Sequence, residues 1–187
     1  MVANYKEILY ENETIFTQNL TLRRFKLEDA AAVLEYGSDA ESLEFVRWGG
    51  IQTIEEAKMH IIDKYWARQG YFAVELNSSQ KCIGCFFLGI IPEHEKASLG
   101  YVISRPYWGK GYATEALSAL IELCFKKLEM NRFEAYHYVG NEASGRVMAK
   151  CGMKFEGVGI QEEKVKGIFR DIVRYGMTRE DWMAGKD

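Results

Sequence analysis

No stretch of this sequence approaches the roughly 18 consecutive apolar residues that a membrane-spanning helix needs, and its start lacks the basic segment and apolar run of a secretory leader. A cytoplasmic protein with no membrane partner is the expectation. Blocks of like charge are missing as well: 27 acidic and 24 basic residues give a net charge of -3, spread along the chain. That removes the electrostatic ground for bulk binding of nucleic acid or an anionic surface, leaving room only for a local basic patch. Internal repeats, linkers and low-complexity tracts are also absent. What remains is 187 residues, 48% hydrophobic and 27% charged, the length and composition of a single domain spanning 1–187 with its core at about 20–177.

Cysteine is scarce, at four residues: Cys82, Cys85, Cys124 and Cys151. Cys82 and Cys85 have the C-x-x-C spacing of half a zinc site or a redox pair. Their surroundings, KCIGCFFLGI, read instead as a strand, and Cys124 and Cys151 stand singly in helical patterns. Reduced thiols in or near the core follow, with no metal site and no disulfide framework.

Residues 1–19 show no firm period and read as an extended arm or short elements. TLRRF at 21–25 alternates as a strand and leads into LEDAAAVLEYG, where Ala30, Val33 and Leu34 share a helical face and Gly37 offers a stop. ESLEFVRWGG reads as a short helix running into a turn. Thr53 and Glu56 then have the spacing of a capping box, and Ala57, His60, Ile61, Lys64 and Tyr65 recur on one face of a second helix that Gly70 can end. YFAVEL, KCIGCFFLGI and ASLGYVI form an antiparallel meander through the connections NSSQ and PEHEK. A long helix from Tyr112 to Leu128 buries Ala113, Ala116, Leu117, Leu120, Cys124 and Leu128. A strand at 133–139, a short helix from Asn141 to near Gly152, and strands at 153–160 and within 167–177 complete the chain. The order gives a mixed α+β sheet with helices on both faces, three layers in all.

The sharpest local signal is RPYWGKGYATEAL, residues 105–117. Pro106 stiffens the approach, Gly109 and Gly111 allow a close turn, and a helix starts at once with its free N–H groups facing back. Such a turn suits a pyrophosphate, since the amides donate hydrogen bonds and the helix dipole favours negative charge. It has neither the GxxxxGK[ST] nor the GxGxxG spacing of other phosphate loops, and by itself a plain structural turn explains it equally well.

The succession SLGYVI, RPYWGKG, YATEALSALI, a strand, N-E-A-S and K-C-G-M resembles the GNAT acetyltransferase superfamily, and within it the RimJ/RimL-like branch. The agreement runs from TLRRFKLEDA to GIFRDIVRYGM. The resemblance implies a GNAT-like acyl-CoA N-acyltransferase fold with a central, mostly antiparallel, splayed sheet, and acetyl-CoA as co-substrate. It places the pyrophosphate loop, commonly Q/R-x-x-G-x-G/A, on Trp108, Gly109, Lys110, Gly111, Tyr112 and Ala113, with Thr114 following; Trp108 stands where Gln or Arg is usual. It also implies that Tyr101, Val102 and Ile103 pair with the pantetheine arm through their backbones, and that Asn141 and Ser144 match the family's Asn-x-x-Ser signature. Asn141 is independently a credible N-cap. Arg146 and Lys150 are solvent-facing helix positions within reach of cofactor phosphates.

The implied reaction is direct attack of a neutral amine on the thioester, with the Val102 N–H expected to stabilise the developing oxyanion. Ser144 is the expected proton donor to the leaving thiolate, with Tyr136 and Tyr138 as alternatives. Relatives often carry Glu where this chain has Ser98, so either another residue takes the amine's proton through water, or the amine arrives neutral, or the chemistry is altered. The substitute bases are His137 first, with His94, His60, Glu44 and Glu75. His60 otherwise reads as a helix-surface or interface residue and His94 as solvent-facing. Phe45, Val46 and Trp48 fall in the segment that forms the acceptor pocket in the resembling enzymes, which makes Phe45 and Trp48 the expected substrate contacts. The expected function is N-acetylation of a protein or peptide α-amine or of a small amine. An acetyl-CoA-binding sensor or scaffold is the alternative that Ser98 suggests, and an aminoglycoside or polyamine acceptor is the one for which Glu41 and Glu44 leave room. Assembly as a monomer or homodimer is expected.

Overall fold

A computed structural model describes residues 4–185. In chain order its elements are α1 (Tyr5–Glu11), β1 (Ile15–Phe16), β2 (Leu20–Arg23), α2 (Ala30–Ser38), α3 (Ala40–Leu43), α4 (Ile54–His60), β3 (Tyr71–Leu76), β4 (Cys82–Ile91), β5 (Lys96–Ile103), α5 (Tyr112–Lys126), β6 (Arg132–Tyr138), α6 (Glu142–Lys150), β7 (Lys154–Val165), β8 (Ile168–Thr178) and α7 (Arg179–Ala184). The α+β class and the order of elements agree with the sequence reading. The N-terminal arm is more ordered than its aperiodic sequence suggests: Asn4 caps α1 by accepting from the Glu7 N–H. The last two strands are also longer than expected. They close at Lys166–Gly167, where both residues have positive φ, as a two-residue hairpin turn requires.

The strands form one sheet in the order β1-β2-β3-β4-β5-β6-β8-β7 among the described residues. Each neighbouring pair is antiparallel except β5 and β6. Side-chain alternation divides the core between two faces. On one face Leu22, Val74, Phe86 and Leu99 pack under α5, whose Ala116, Leu117, Leu120, Ile121 and Cys124 are buried. On the other, Ala73, Cys85 and Val102 pack against Val33 and Tyr36 of α2, Ala57 of α4, and Ile61 and Tyr65 beyond it. The helical layers on both sides give the expected three-layer arrangement.

Thr53 caps α4 by accepting from the Glu56 N–H, but the Glu56 carboxylate turns back to the Gln52 N–H at 2.7 Å, so the box closes one residue earlier than its spacing suggests. After His60 the helix widens into a π turn over Ile61–Trp66. Arg23 at the end of β2 forms a buried ion triad: its guanidinium meets Asp29 at 2.7 and 2.8 Å, and its Nε donates to Glu75 at 2.7 Å. The triad ties the start of α2 to β2 and β3. A single missing partner there would strand a buried charge.

Candidate active site

The one parallel pairing positions the site. β5 and β6 are in register from Lys96↔Arg132 to Leu99↔Ala135 and no further. Beyond that point β5 stays with β4 as far as Gly84↔Ile103, and β6 stays with β8 as far as Tyr138↔Ile172. The two strands therefore part and leave a wedge through the sheet. The Ser104 N–H donates to the Ile83 carbonyl at 2.8 Å. Alternation along the ladder then commits the N–H of Val102 to β4 and turns those of Tyr101 and Ile103 into the wedge. The backbone donors available there are thus Tyr101 and Ile103, one residue either side of the expected Val102.

At the open end of the wedge lies the glycine turn. Gly109 and Gly111 have φ of +73° and +85°, values that favour glycine, and Gly111 caps α5 without a side-chain hydrogen bond. The N–H groups of Tyr112, Ala113 and Thr114 lie in the first helical turn, beyond the reach of intrahelical acceptors. A Cβ built on Gly109 or Gly111 meets nothing within 4 Å, so the ground before these amides is open. Trp108 does not face that ground: its Nε1 donates to the Ile103 carbonyl at 2.6 Å and caps the end of β5. Lys110 lies over the Tyr107 ring at 5.4 Å, and Arg105 holds the turn to α3 through Asp39 at 3.3 Å and Glu41 at 3.0 Å.

On the α6 side of the wedge, Asn141 caps the helix by accepting from the Ser144 N–H at 3.3 Å. The Ser144 hydroxyl accepts from the Tyr101 hydroxyl at 3.0 Å, and the Tyr101 ring stacks on Phe86. Burial raises the Tyr101 pKa and keeps this phenol protonated. His137 lies on the same face as Phe133 and Ala135, against α6. Its Nδ1 is 2.9 Å from the Tyr138 carbonyl, and a Cβ at Gly145 would come within 2.6 Å of its Nε2. The helix thus rests directly on the imidazole, which lines the α6 side of the wedge.

A cleft of about 790 Å³ runs through the wedge, walled by Phe45, Trp48, His60, Val102 and Glu134 on the opposite face and by Tyr101, His137, Asn141 and Ser144 on the α6 side. Phe45 and Trp48, the expected substrate contacts, both line this cleft. His60, read from the sequence as a helix-surface or interface residue, is half-buried: its ring sits between Trp48 and Tyr65, with centroids 5.2 and 4.8 Å away. Burial, reinforced by Lys64, lowers its pKa below the usual 6.5 and favours the neutral imidazole. Glu134 stands in register with Ser98, so a carboxylate borders Ser98 from the neighbouring strand; Lys96 Nζ at 2.8 Å and Arg132 Nε at 3.5 Å hold it. Glu44, Glu75 and His94 do not line the cleft, and Glu75 is engaged by Arg23.

A cluster that the sequence did not announce closes the mouth. Glu163 of β7 accepts from the Tyr138 hydroxyl at 2.6 Å and the Tyr136 hydroxyl at 3.3 Å, and Arg47 pairs with Glu163 across 116 positions of sequence. Arg47 Nε also reaches the Tyr138 hydroxyl at 3.3 Å. Only the final pairing of β7 with β8 and β8 with β6 brings these residues together. Cys82, Cys85 and Cys124 are buried and unpaired, and burial pushes the Cys82 thiol up to about 12. No group of three or more His, Cys, Asp or Glu among the described residues is placed to hold a metal, and none of their helices is long and apolar enough to cross a membrane.

The profile of the acetyltransferase (GNAT) domain matches residues 19–154. The uncharacterized N-acetyltransferase p20 of Bacillus licheniformis is 30% identical over 175 residues, covering 91% of this chain and 98% of that protein. The [ribosomal protein uS5]-alanine N-acetyltransferase of Escherichia coli is 26% identical, covering 91% and 93% respectively. The crystal structure of a GNAT-family acetyltransferase from Bacillus anthracis superposes with a TM-score of 0.81 at 27% identity, over 89% of this chain and 99% of that one. A wedge between two parallel strands, a glycine turn before α5 and these matches lead to one conclusion: the chain is an acetyltransferase of the GNAT family.

Proposed function

We propose that this enzyme moves an acetyl group from acetyl-CoA to a primary amine inside a complex of all three. The observation that carries the reading is the two-sided wedge: uncapped backbone amides stand at one end and an aromatic cleft opens on the other face. Acetyl-CoA would supply a thioester whose C–S bond breaks as the amine nitrogen bonds to the carbonyl carbon, the sulfur leaving with one proton and the nitrogen losing another.

The residues fit that donor. Gly109 and Gly111 leave the approach to the α5 amides unobstructed, so Lys110 through Thr114 form a pyrophosphate seat of N–H groups and positive helix-end potential. The wedge-facing N–H groups of Tyr101 and Ile103 would pair with carbonyls of an extended arm and donate to oxygen charge developing at the thioester carbonyl, while the Ile103 carbonyl is taken by the Trp108 indole. The hydroxyl pair of Tyr101 and Ser144 is the proton source for the departing sulfur. For the amine's proton we assign His60, through water: it lines the acceptor face and is favoured neutral, whereas Glu134 already carries two cations. His137, packed under Gly145, positions α6 and with it Asn141 and Ser144.

A protein or peptide amine is the first acceptor to examine, because the E. coli relative acts on alanine of ribosomal protein uS5. The test is release of free thiol from acetyl-CoA against a panel of N-terminal peptides, amino acids, polyamines and aminoglycosides, with an acceptor-free control. Acceptor-dependent release is expected. Tight binding of acetyl-CoA with no release across the panel would overturn the transferase reading in favour of a sensor or scaffold.

A further inference from the structure

The cluster at the cleft mouth has the composition of a seat for an organic cation. Tyr136 and Tyr138 are two residues apart on β6, so both project from one face of the strand. Their hydroxyls reach the same carboxylate, that of Glu163, and their rings stand 5.9 Å apart at 70°. A positive group placed there meets one full negative charge, two phenolic oxygens and the face of an aromatic ring. Arg47 already occupies it: its guanidinium pairs with Glu163, approaches the Tyr138 hydroxyl and lies over the Tyr136 ring at 5.5 Å from the centroid.

Seat and occupant are held very differently. Tyr138 is 4% exposed and belongs to the sheet, as do Tyr136 and Glu163. Arg47 is on the irregular stretch between α3 and α4, its side chain is 58% exposed, and Gly49 and Gly50 follow after Trp48. The arginine can therefore leave without disturbing the sheet. Arg47, Tyr136 and Tyr138 line the same cleft as Val102. A cation held by Glu163 between the two tyrosines therefore borders that cleft.

We propose that the acceptor enters as a primary ammonium, is taken by Glu163 between Tyr136 and Tyr138, and displaces Arg47, which plugs the seat while no acceptor is bound. The inference rests on the transferase reading and names its acceptor-recognition site. Because Arg47 competes for the same carboxylate, the apparent affinity for the amine is reduced by the fraction of molecules in which the plug is in place. Removing the plug strengthens amine binding; removing the carboxylate abolishes it. An arginine that only braced the loop would give the opposite sign.

The test measures binding rather than turnover, so that it is independent of the chemical step. Alanine amide, an α-ammonium, and butylamine, an alkylammonium, are titrated by calorimetry into protein saturated with coenzyme A. Glu163→Gln is expected to weaken both at least tenfold and Arg47→Gln to tighten both about threefold or more, with acetyl-CoA affinity in each variant within twofold of the parent. The tighter of the two amines tells whether chain-end or alkyl amines are the natural source. The proposal is overturned if Glu163→Gln leaves amine affinity within twofold, if Arg47→Gln weakens it, or if neither amine binds even when Arg47 is replaced. Glu163-dependent binding without thiol release would keep the seat and discard the transferase reading, whereas thiol release indifferent to Glu163 would do the reverse.

Discussion

The two ends of the wedge are built from different materials. At the α5 end the groups offered to a ligand are backbone N–H groups, shaped by two glycines and a helix start that lie within six consecutive residues. At the cleft end they are side chains from the loop after α3, from α4, β6 and β7, joined only through the completed sheet. A backbone site tolerates a change of side chain and fails when a Cβ is added. A side-chain site does the converse, and it can change its ligand without changing its fold.

The largest expected effect concerns the scaffold under the side-chain end. Asp29→Ala leaves Arg23 buried without its bidentate partner and should cost about 3 kcal/mol of stability, read from the midpoint of urea unfolding at constant m. A loss below about 1 kcal/mol would mean that Glu75 alone suffices, and that the cleft wall does not depend on the triad.

Next in size, His60→Gln should lower kcat about 100-fold at pH 7 while acetyl-CoA affinity is unchanged. Since the folded His60 pKa lies below 6.5, the neutral base prevails at pH 7, and kcat in the parent should fall as pH drops through a midpoint under 6.5. The same depression makes the unfolded chain bind more protons in that range, so the contribution of His60 to stability is present above pH 6.5 and is lost on acidification. If the acidic limb survives in His60→Gln, the proton goes elsewhere, with Glu134 as the group to examine.

The contrast itself is tested at the other end. Gly111→Val should weaken acetyl-CoA about 30-fold, beyond the roughly 1–2 kcal/mol of backbone strain that a positive φ imposes on a side chain. Trp108→Phe, which removes a bulky indole but no loop amide, should change it less than threefold. Calorimetry of both variants would break the distinction if their order were reversed. A smaller loss than that of Gly111→Val is expected of Ser144→Ala, about tenfold in kcat with little change in either KM, because the Tyr101 hydroxyl remains to deliver the proton.

How much of this was legible in the sequence follows the same division. The turn at 105–111, the helix after it and the Asn141 cap are local and could be placed from spacing alone. The wedge could not, because it depends on where β5 and β6 cease to pair, at Leu99 and Ala135. Periodicity put His60 and Lys64 on one helical face with Ala57, Ile61 and Tyr65. The structure buries Ala57, Ile61 and Tyr65, and leaves His60 and Lys64 lining the cleft where the helix passes into a π turn. Arg47 and Glu163 carried no signal, each being one charged residue in a segment that looked like ordinary surface. The Tyr101–Ser144 contact spans 43 positions and was equally silent.

The indole of Trp108, hydrogen-bonded to Ile103 and 46% exposed, stands at the α5 end, while Trp48 lines the cleft at the other. The remaining two of the four tryptophans are tied up elsewhere, Trp66 to the Phe25 carbonyl and Trp182 against Phe125. The molecule therefore carries an optical probe at each end of its wedge. With Trp66 and Trp182 replaced by phenylalanine, emission from variants keeping Trp48 or Trp108 alone would separate the arrival of the nucleotide from that of the amine, and give the order in which the two ligands enter without any acetyl group being transferred.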